Sequence, residues 1–188
     1  MAVKTFAVGE LATSSDVNTF LANAGLVYVT SANPTAATTI GINGCFTNVA
    51  NNYRVIVTPI SAAGPSDIDL RLRVGGVAAS AANYYQTNIF SGGGTIVSTS
   101  ENGRTSWRGM NLGAAGNPVY NSLVFDIFGP FVALATRYQM QSGGWNGTDI
   151  LNRSAIGFHA LNTAYDGFEL VASTNITATI TVYAYRNA

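Results

Sequence analysis

Between Leu26 and Tyr185 the side chains change character at every second position in short runs, and turn-forming clusters separate one run from the next. A period of two places alternate residues on opposite faces of a strand, so this pattern commits most of the chain to half-buried β-structure. The run "DIDLRLRV" (67–74) is the clearest: Asp67, Asp69, Arg71 and Arg73 face one way, and Ile68, Leu70, Leu72 and Val74 the other. In "YRVIVTP", Tyr53, Val55 and Val57 alternate with Arg54, Ile56 and Thr58. Further runs are "LVYVTS", "TTIGIN", "NYYQTNIF", "TSWRGMNL", "NSLVFDIF", "ATRYQMQ", "SAIGFHAL", "GFELVAS" and "ITATITVYAY". Clusters such as "SAAGPSD", "GAAGNP", "SGGWNGTD" and "YDG" supply the turns, and "SGGG" (91–94) reads as a linker between strands. About eleven short strands with frequent turn signals call for an all-β antiparallel sandwich or barrel, and a jelly-roll-like sandwich fits the count best. No repeat of fixed period points to a propeller or solenoid.

One segment breaks the pattern. In "TSSDVNTFLANAG", Val17, Phe20, Leu21 and Ala24 fall at i, i+3, i+4 and i+7, one stripe of a helix. Thr13 and Asp16 have capping-box spacing with Asp in place of Glu or Gln, and Gly25 can close the C-terminus. The spacing predicts a helix over about 14–24, too short to stand alone in water, so its stripe must dock on something. Residues 1–25 therefore read as an arm and 26–188 as the β-domain.

The charge content bears on what surrounds that domain. Only 10% of the 188 residues are charged, against roughly 25% in an ordinary soluble domain. Nine basic and nine acidic side chains balance, so no long-range field draws the chain to nucleic acid or an anionic membrane. No apolar run approaches the roughly 18 to 20 residues that span a bilayer, and "MAVKTFAVGE" lacks the apolar stretch of a signal peptide, so the expectation is synthesis in a cytoplasm and no membrane insertion. So few charges on so much apolar sequence leave two readings open: a neutral Asn/Ser/Thr surface, or an outside covered by other copies or partners. The charged face of "DIDLRLRV" divides the same way. Asp67, Asp69, Arg71 and Arg73 either form a solvated face with cross-strand ion pairs or meet a neighbouring subunit, where desolvated pairs set register.

Catalytic chemistry finds little support. Cys45 and His159 are the only cysteine and histidine, so neither a disulfide framework nor a Cys/His zinc site is available, and no metal or cofactor is expected. His159 lies in an apolar strand and reads as a structural histidine; Cys45 reads as a small core side chain. Arg71 and Arg73 keep the Asp67/Asp69 pair ionised, which disfavours a glycosidase acid there. "GPSDID" and "NGTD" have no calcium-loop spacing, and the Asn-x-Ser/Thr triplets at Asn146, Asn152 and Asn175 fall in a chain rich in all three residues. What remains is aromatic content beside Asn and Asp, equipment for gripping a sugar ring: Trp145 and Asn146 in "SGGWNGTD", and Tyr165 with Asp166.

The segment "FAVGELATSSDVNTFLANAGLVYV" (6–29) resembles the start of many tailed-bacteriophage structural proteins. The shared pattern includes Phe6, Gly9, Glu10, Leu11, Thr13, Asp16, Val17, Asn18 and Leu21, with a local departure at Leu11–Ala12. "YRVIVTPISAAGPSDIDLRLRVGGVAASAANYY" is similar to a segment of phage fibre and tip domains, and "ITATITVYAYRNA" to their closing strand. The resemblance implies a virion protein: a homotrimeric tail fibre or baseplate fibre tip whose arm docks on the particle through Val17, Phe20, Leu21 and Ala24. Its β-domain would adhere to a host-surface glycan. A head-decoration protein that cements the capsid is the alternative the same family offers, and a glycan-degrading tail enzyme a more distant one.

Overall fold

The structure is a computed structural model, and it describes residues 9–10, 13, 25–112, 121–145 and 148–185. The helix expected over 14–24, with Val17, Phe20, Leu21 and Ala24, lies outside the described residues. Among the described residues there are twelve strands and no helix. In chain order they are β1 (Leu26–Ala32), β2 (Ala37–Ile42), β3 (Asn52–Ala62), β4 (Ser66–Val74), β5 (Val77–Ala78) and β6 (Tyr84–Gly92). Then follow β7 (Thr95–Arg104), β8 (Trp107–Leu112), β9 (Ser122–Phe128), β10 (Thr136–Trp145), β11 (Ile150–His159) and β12 (Gly167–Tyr185).

All pairings are antiparallel and run β5-β4-β12-β3-β9-β10-β11-β6-β7, with β1 and β2 also on β12 and β8 on β4. The two runs "GFELVAS" and "ITATITVYAY" form one 19-residue strand rather than two. Its first part, through Ala172, pairs with β4 and β2; from Ile176 it pairs with β3, and from Ile180 also with β1. The intervening "STN", which reads as a turn in sequence, stays in the strand. Thr174 N–H donates to Ser66 Oγ (3.3 Å), and Thr174 Oγ1 to the Gly64 carbonyl (3.4 Å). The sheet thereby curls on itself, and β8 returns over β6 and β11: Arg108 N–H donates to Gln86 Oε1 (2.8 Å) and Trp107 Nε1 to the Phe158 carbonyl (3.3 Å).

A second difference concerns "SGGG". Gly93 and Gly94 have φ of +58° and +77°, the two left-handed residues of a type I′ hairpin, and they join β6 to β7 with Gly92 opposite Thr95. The segment does link two strands, as a tight turn rather than a flexible loop, and β7 goes unannounced because "TIVSTSENGR" is a largely exposed edge strand with no apolar alternation.

One core fills the curl. Tyr53, Val55, Val57 and Ile60 of β3 meet Leu123, Phe125 and Ile127 of β9, Ile68, Leu70 and Leu72 of β4, and the inward residues of β12. Phe46, Tyr53, Phe125 and Phe168 form one aromatic cluster; Tyr84, Trp107, Tyr138, His159 and Tyr165 form another.

Candidate functional site

The β4 alternation is realised through Arg73, with Ile68, Leu70 and Leu72 buried and the charged residues on the opposite face, whereas Val74, at the strand's end, is exposed. Each of those charges has partners within the chain. Glu169, buried on β12, lies 2.8 Å from Arg73 Nη1 and 3.5 Å from Arg71 Nη1. Asp69 accepts from Ser106 Oγ (2.7 Å) and lies 3.9 Å from Arg104; Asp67 accepts from Asn111 Nδ2 (2.7 Å). Burial pushes the Asp69 carboxyl above its ordinary range, against the Ser106 hydrogen bond and the nearby arginines.

The sugar-binding candidates do not converge. Trp145 ends β10 opposite Ile150, beside a 390 Å³ hollow lined by Gly143, Gly144, Trp145 and Ile150, and its backbone N–H donates to Asn121 Oδ1 (3.1 Å). Asn121 in turn binds the Ile60 carbonyl (3.1 Å), at the far end of β3. Asn146 lies outside the described residues. Tyr165 is at the other end: its N–H donates to the Pro130 carbonyl (2.7 Å), next to Gly129, which binds Asn51. Nine strand residues from Asn51 to Ile60 span roughly 30 Å. The Tyr165 ring is 1% exposed and packed on His159, so it presents no face to solvent. Asp166 accepts from Gly75 N–H (3.0 Å), tying down the β4–β5 turn.

His159 shares a 3.0 Å hydrogen bond between Nδ1 and the Tyr165 hydroxyl, and burial lowers its pKa to about 4. The folded protein thus resists protonation that the unfolded chain accepts near 6.5, so its contribution is complete above pH 6.5 and is lost as pH falls toward 4. Between pH 7.5 and 4.5 this one group should cost about 2 to 3 kcal/mol of stability. Urea unfolding of wild type and His159→Gln at both pH values checks it, the difference between the two slopes isolating His159 from the carboxylates. Cys45 is also buried, its thiol pushed up to about 12 by desolvation, which leaves it unreactive. Among the described residues no group of His, Cys, Asp and Glu is placed to hold a metal ion.

The notable surface lies on the outside of β9, β10, β11, β6 and β7, and in parts of β6 and β11 the usual alternation is inverted. In β6, Gln86 and Asn88 point inward at 4% and 3% exposure while Ile89 points out. In β11, Arg153 is buried while Ile156 (63%) and Phe158 (43%) are exposed. The buried amides have partners: Gln86 accepts from Tyr138 Oη (2.9 Å) and donates to Glu101 (3.1 Å), and Asn88 donates to the Thr99 carbonyl (3.5 Å).

Register then assembles the outer face row by row. Phe128, Arg137, Phe158 and Tyr85 stand in line across β9, β10, β11 and β6. Asp126, Gln139, Ile156, Thr87 and Ser100 make the next row, reaching β7. These rows line a groove of about 660 Å³, within the range of small-ligand sites. Tyr85 and Phe158 stack at 5.0 Å with 6° between planes. Gly157 lies at the groove between them and Ile156; a Cβ there would overlap the Tyr85 carbonyl and the Tyr138 ring, so only glycine lets β11 and β6 pair this closely. A second hollow of about 260 Å³, sharing Gln139 and Ile156, continues the groove toward Arg54 and Asp126.

The electrostatics of this face are simple. Asp126 receives a bidentate Arg54 (2.8 and 2.7 Å), Tyr185 Oη (2.7 Å) and Gln139 Nε2 (3.2 Å). Burial works to raise its pKa, but these hydrogen bonds outweigh it and hold the carboxyl below its ordinary value. Tyr185 is pushed up to about 12 by burial and by the Asp126 charge. Arg54 and Asp126 neutralise each other, whereas no acid pairs with Arg137 among the described residues.

The chain matches no protein-family model and none of the curated proteins.

Proposed function

We propose that this chain is a virion structural protein of a tailed bacteriophage, a homotrimeric tail fibre or fibre tip made in the host cytoplasm. Residues 1–25 dock on the tail or baseplate, and the β-domain adheres to a host-surface glycan through the outer face of β9, β10, β11, β6 and β7. We further read the curled sheet as a jelly-roll-like sandwich: β8, β4, the first half of β12 and β2 form one layer, and the second half of β12 with β3, β9, β10, β11 and β6 forms the other.

The observation that carries this reading is the inverted alternation of β6 and β11. Two strands that bury Gln86, Asn88 and Arg153 and expose Ile89, Ile156 and Phe158 give up core burial for an outer surface that is apolar, aromatic and rimmed with amides and hydroxyls. Aromatic faces beside Asn, Gln, Ser and Thr suit the apolar face and hydroxyls of a sugar ring. The low charge content and the N-terminal pattern support assembly into a particle. Adhesion rather than catalysis is the proposed activity, with several weak sites per particle raising avidity.

Immunogold labelling of particles with an antibody to the chain tests the location. Label at the tail or its tip is expected; label over the capsid would move the chain to head decoration, and unlabelled particles would remove the virion reading altogether. Deleting residues 1–24 should leave a folded trimer by light scattering that no longer joins particles. A truncated chain that failed to fold would make the arm part of the core instead.

A further inference from the structure

We propose that the saccharide held in the outer groove carries a carboxylate, and that Arg137 is the side chain that selects it. This rests on the adhesive reading of the groove given above. Three observations lead to it. Arg137 is exposed on β10 and occupies the position between Phe128 and Phe158 in the aromatic row, so its guanidinium belongs to the same surface as the stacked Tyr85–Phe158 pair. It also lines the 660 Å³ groove together with Gln139, Asn102, Thr87 and Ser100.

The second observation is the charge balance. On this face the other arginine, Arg54, is saturated by Asp126, and Asp126 is in turn held by Tyr185 and Gln139. Glu101, the nearby acid of β7, is taken by Arg104 (3.3 Å) and Arg108 (3.4 Å). Among the described residues Arg137 is left as a positive charge without an acid partner, in a groove whose described lining holds no free carboxylate to repel an anion.

The third is geometric. A guanidinium is a planar fork of donors matched to the two oxygens of a carboxylate, and the amides and hydroxyls around it are matched to ring hydroxyls. A uronic or sialic acid unit presents both, with an apolar ring face for the aromatic pair. A neutral hexose would leave the fork to water. Charge-assisted pairs of this kind change affinity by about 10- to 100-fold.

The test measures binding of the full chain to trigalacturonate beside its methyl ester, and to sialyllactose beside lactose, by titration calorimetry. The methyl ester removes the charge and keeps the sugar. At least one acidic probe should bind about 10-fold or more tightly than its neutral counterpart, with Arg137→Ala bringing that ratio close to one and Arg137→Lys leaving an intermediate ratio. Equal affinity for acidic and neutral probes, or a preference that survives Arg137→Ala, would overturn the assignment and leave the adhesive reading in place. If neither probe pair binds while the protein still adheres to host cells, the carboxylate is wrong and adhesion stands; if it adheres to no cell, both fall.

Discussion

Trp107→Ala should unfold the protein more readily than any change on its surface, by about 3 to 5 kcal/mol. The indole is fully buried, stacks on Tyr138 at 4.3 Å and 20°, and meets Tyr84 edge-on at 5.0 Å. The void of about 10 Å³ beside it is no larger than a single water, so the indole is closely packed there and its removal leaves a cavity. Removing the indole also removes the Nε1 donor to the Phe158 carbonyl. For a chain of this size that stability loss corresponds to a fall in Tm of roughly 10 °C, measurable by calorimetry. The effect should reach the groove as well, since the Trp107 bond fastens β8 to the backbone of the strand that displays Phe158. A loss under about 1 kcal/mol would mean that β8 does not close the core.

Phe158→Ala should do the reverse: little change in stability and a large loss of adhesion. The ring is exposed at 43% and stacks only on Tyr85, while its backbone keeps the bond to Trp107. Deleting a stacking platform costs a single site about 1 to 2 kcal/mol, or roughly 10-fold, by analogy with aromatic pairs and their buried area. On the proposed trimer the sites would act together, so the loss compounds and staining of host cells by the labelled protein should fall by about 100-fold or more. Unchanged staining by a well-folded Phe158→Ala protein would remove the groove from adhesion.

The strands of this fold are legible wherever the outer face is polar. Asp67–Val74 alternates cleanly because water lies on one side of β4 and core on the other, and its charges need only reach Glu169, Ser106 and Asn111. β7 was hidden because this edge strand is mostly polar and its two apolar residues, Ile96 and Val97, are adjacent and exposed, so nothing betrays its period. Gly93–Gly94 was readable as a turn but not as the I′ hairpin that implies a partner strand. In β12 the sequence "STN" reads as a break, and only the hydrogen bonds to Ser66 and Gly64 keep it extended.

The site was harder to see for a related reason. In β6 and β11 the alternation is present but its sign is reversed, so Ile89, Ile156 and Phe158 pass for core and Gln86, Asn88 and Arg153 for surface. Nothing local in "NYYQTNIF" reveals that Gln86 will find Tyr138 and Glu101, which are 52 and 15 residues away. Aromatic residues in loops drew attention to Trp145 and Tyr165, yet loop position does not ensure exposure, and Tyr165 is enclosed by His159. Arg137 gave no signal at all, because an unpaired charge is defined by the acids that its neighbours have already taken.

The central claim is that the outer groove is the adhesive surface. Hydrogen exchange of the full chain, read by mass spectrometry with and without soluble surface polysaccharide from the host, tests it most directly. The account predicts slowed exchange in the β-strand segments 84–87, 137–139 and 156–158, with the ends of the domain unchanged. Protection confined to the strand ends at Trp145 and Ile150, with the groove exchanging as in the free protein, would contradict it.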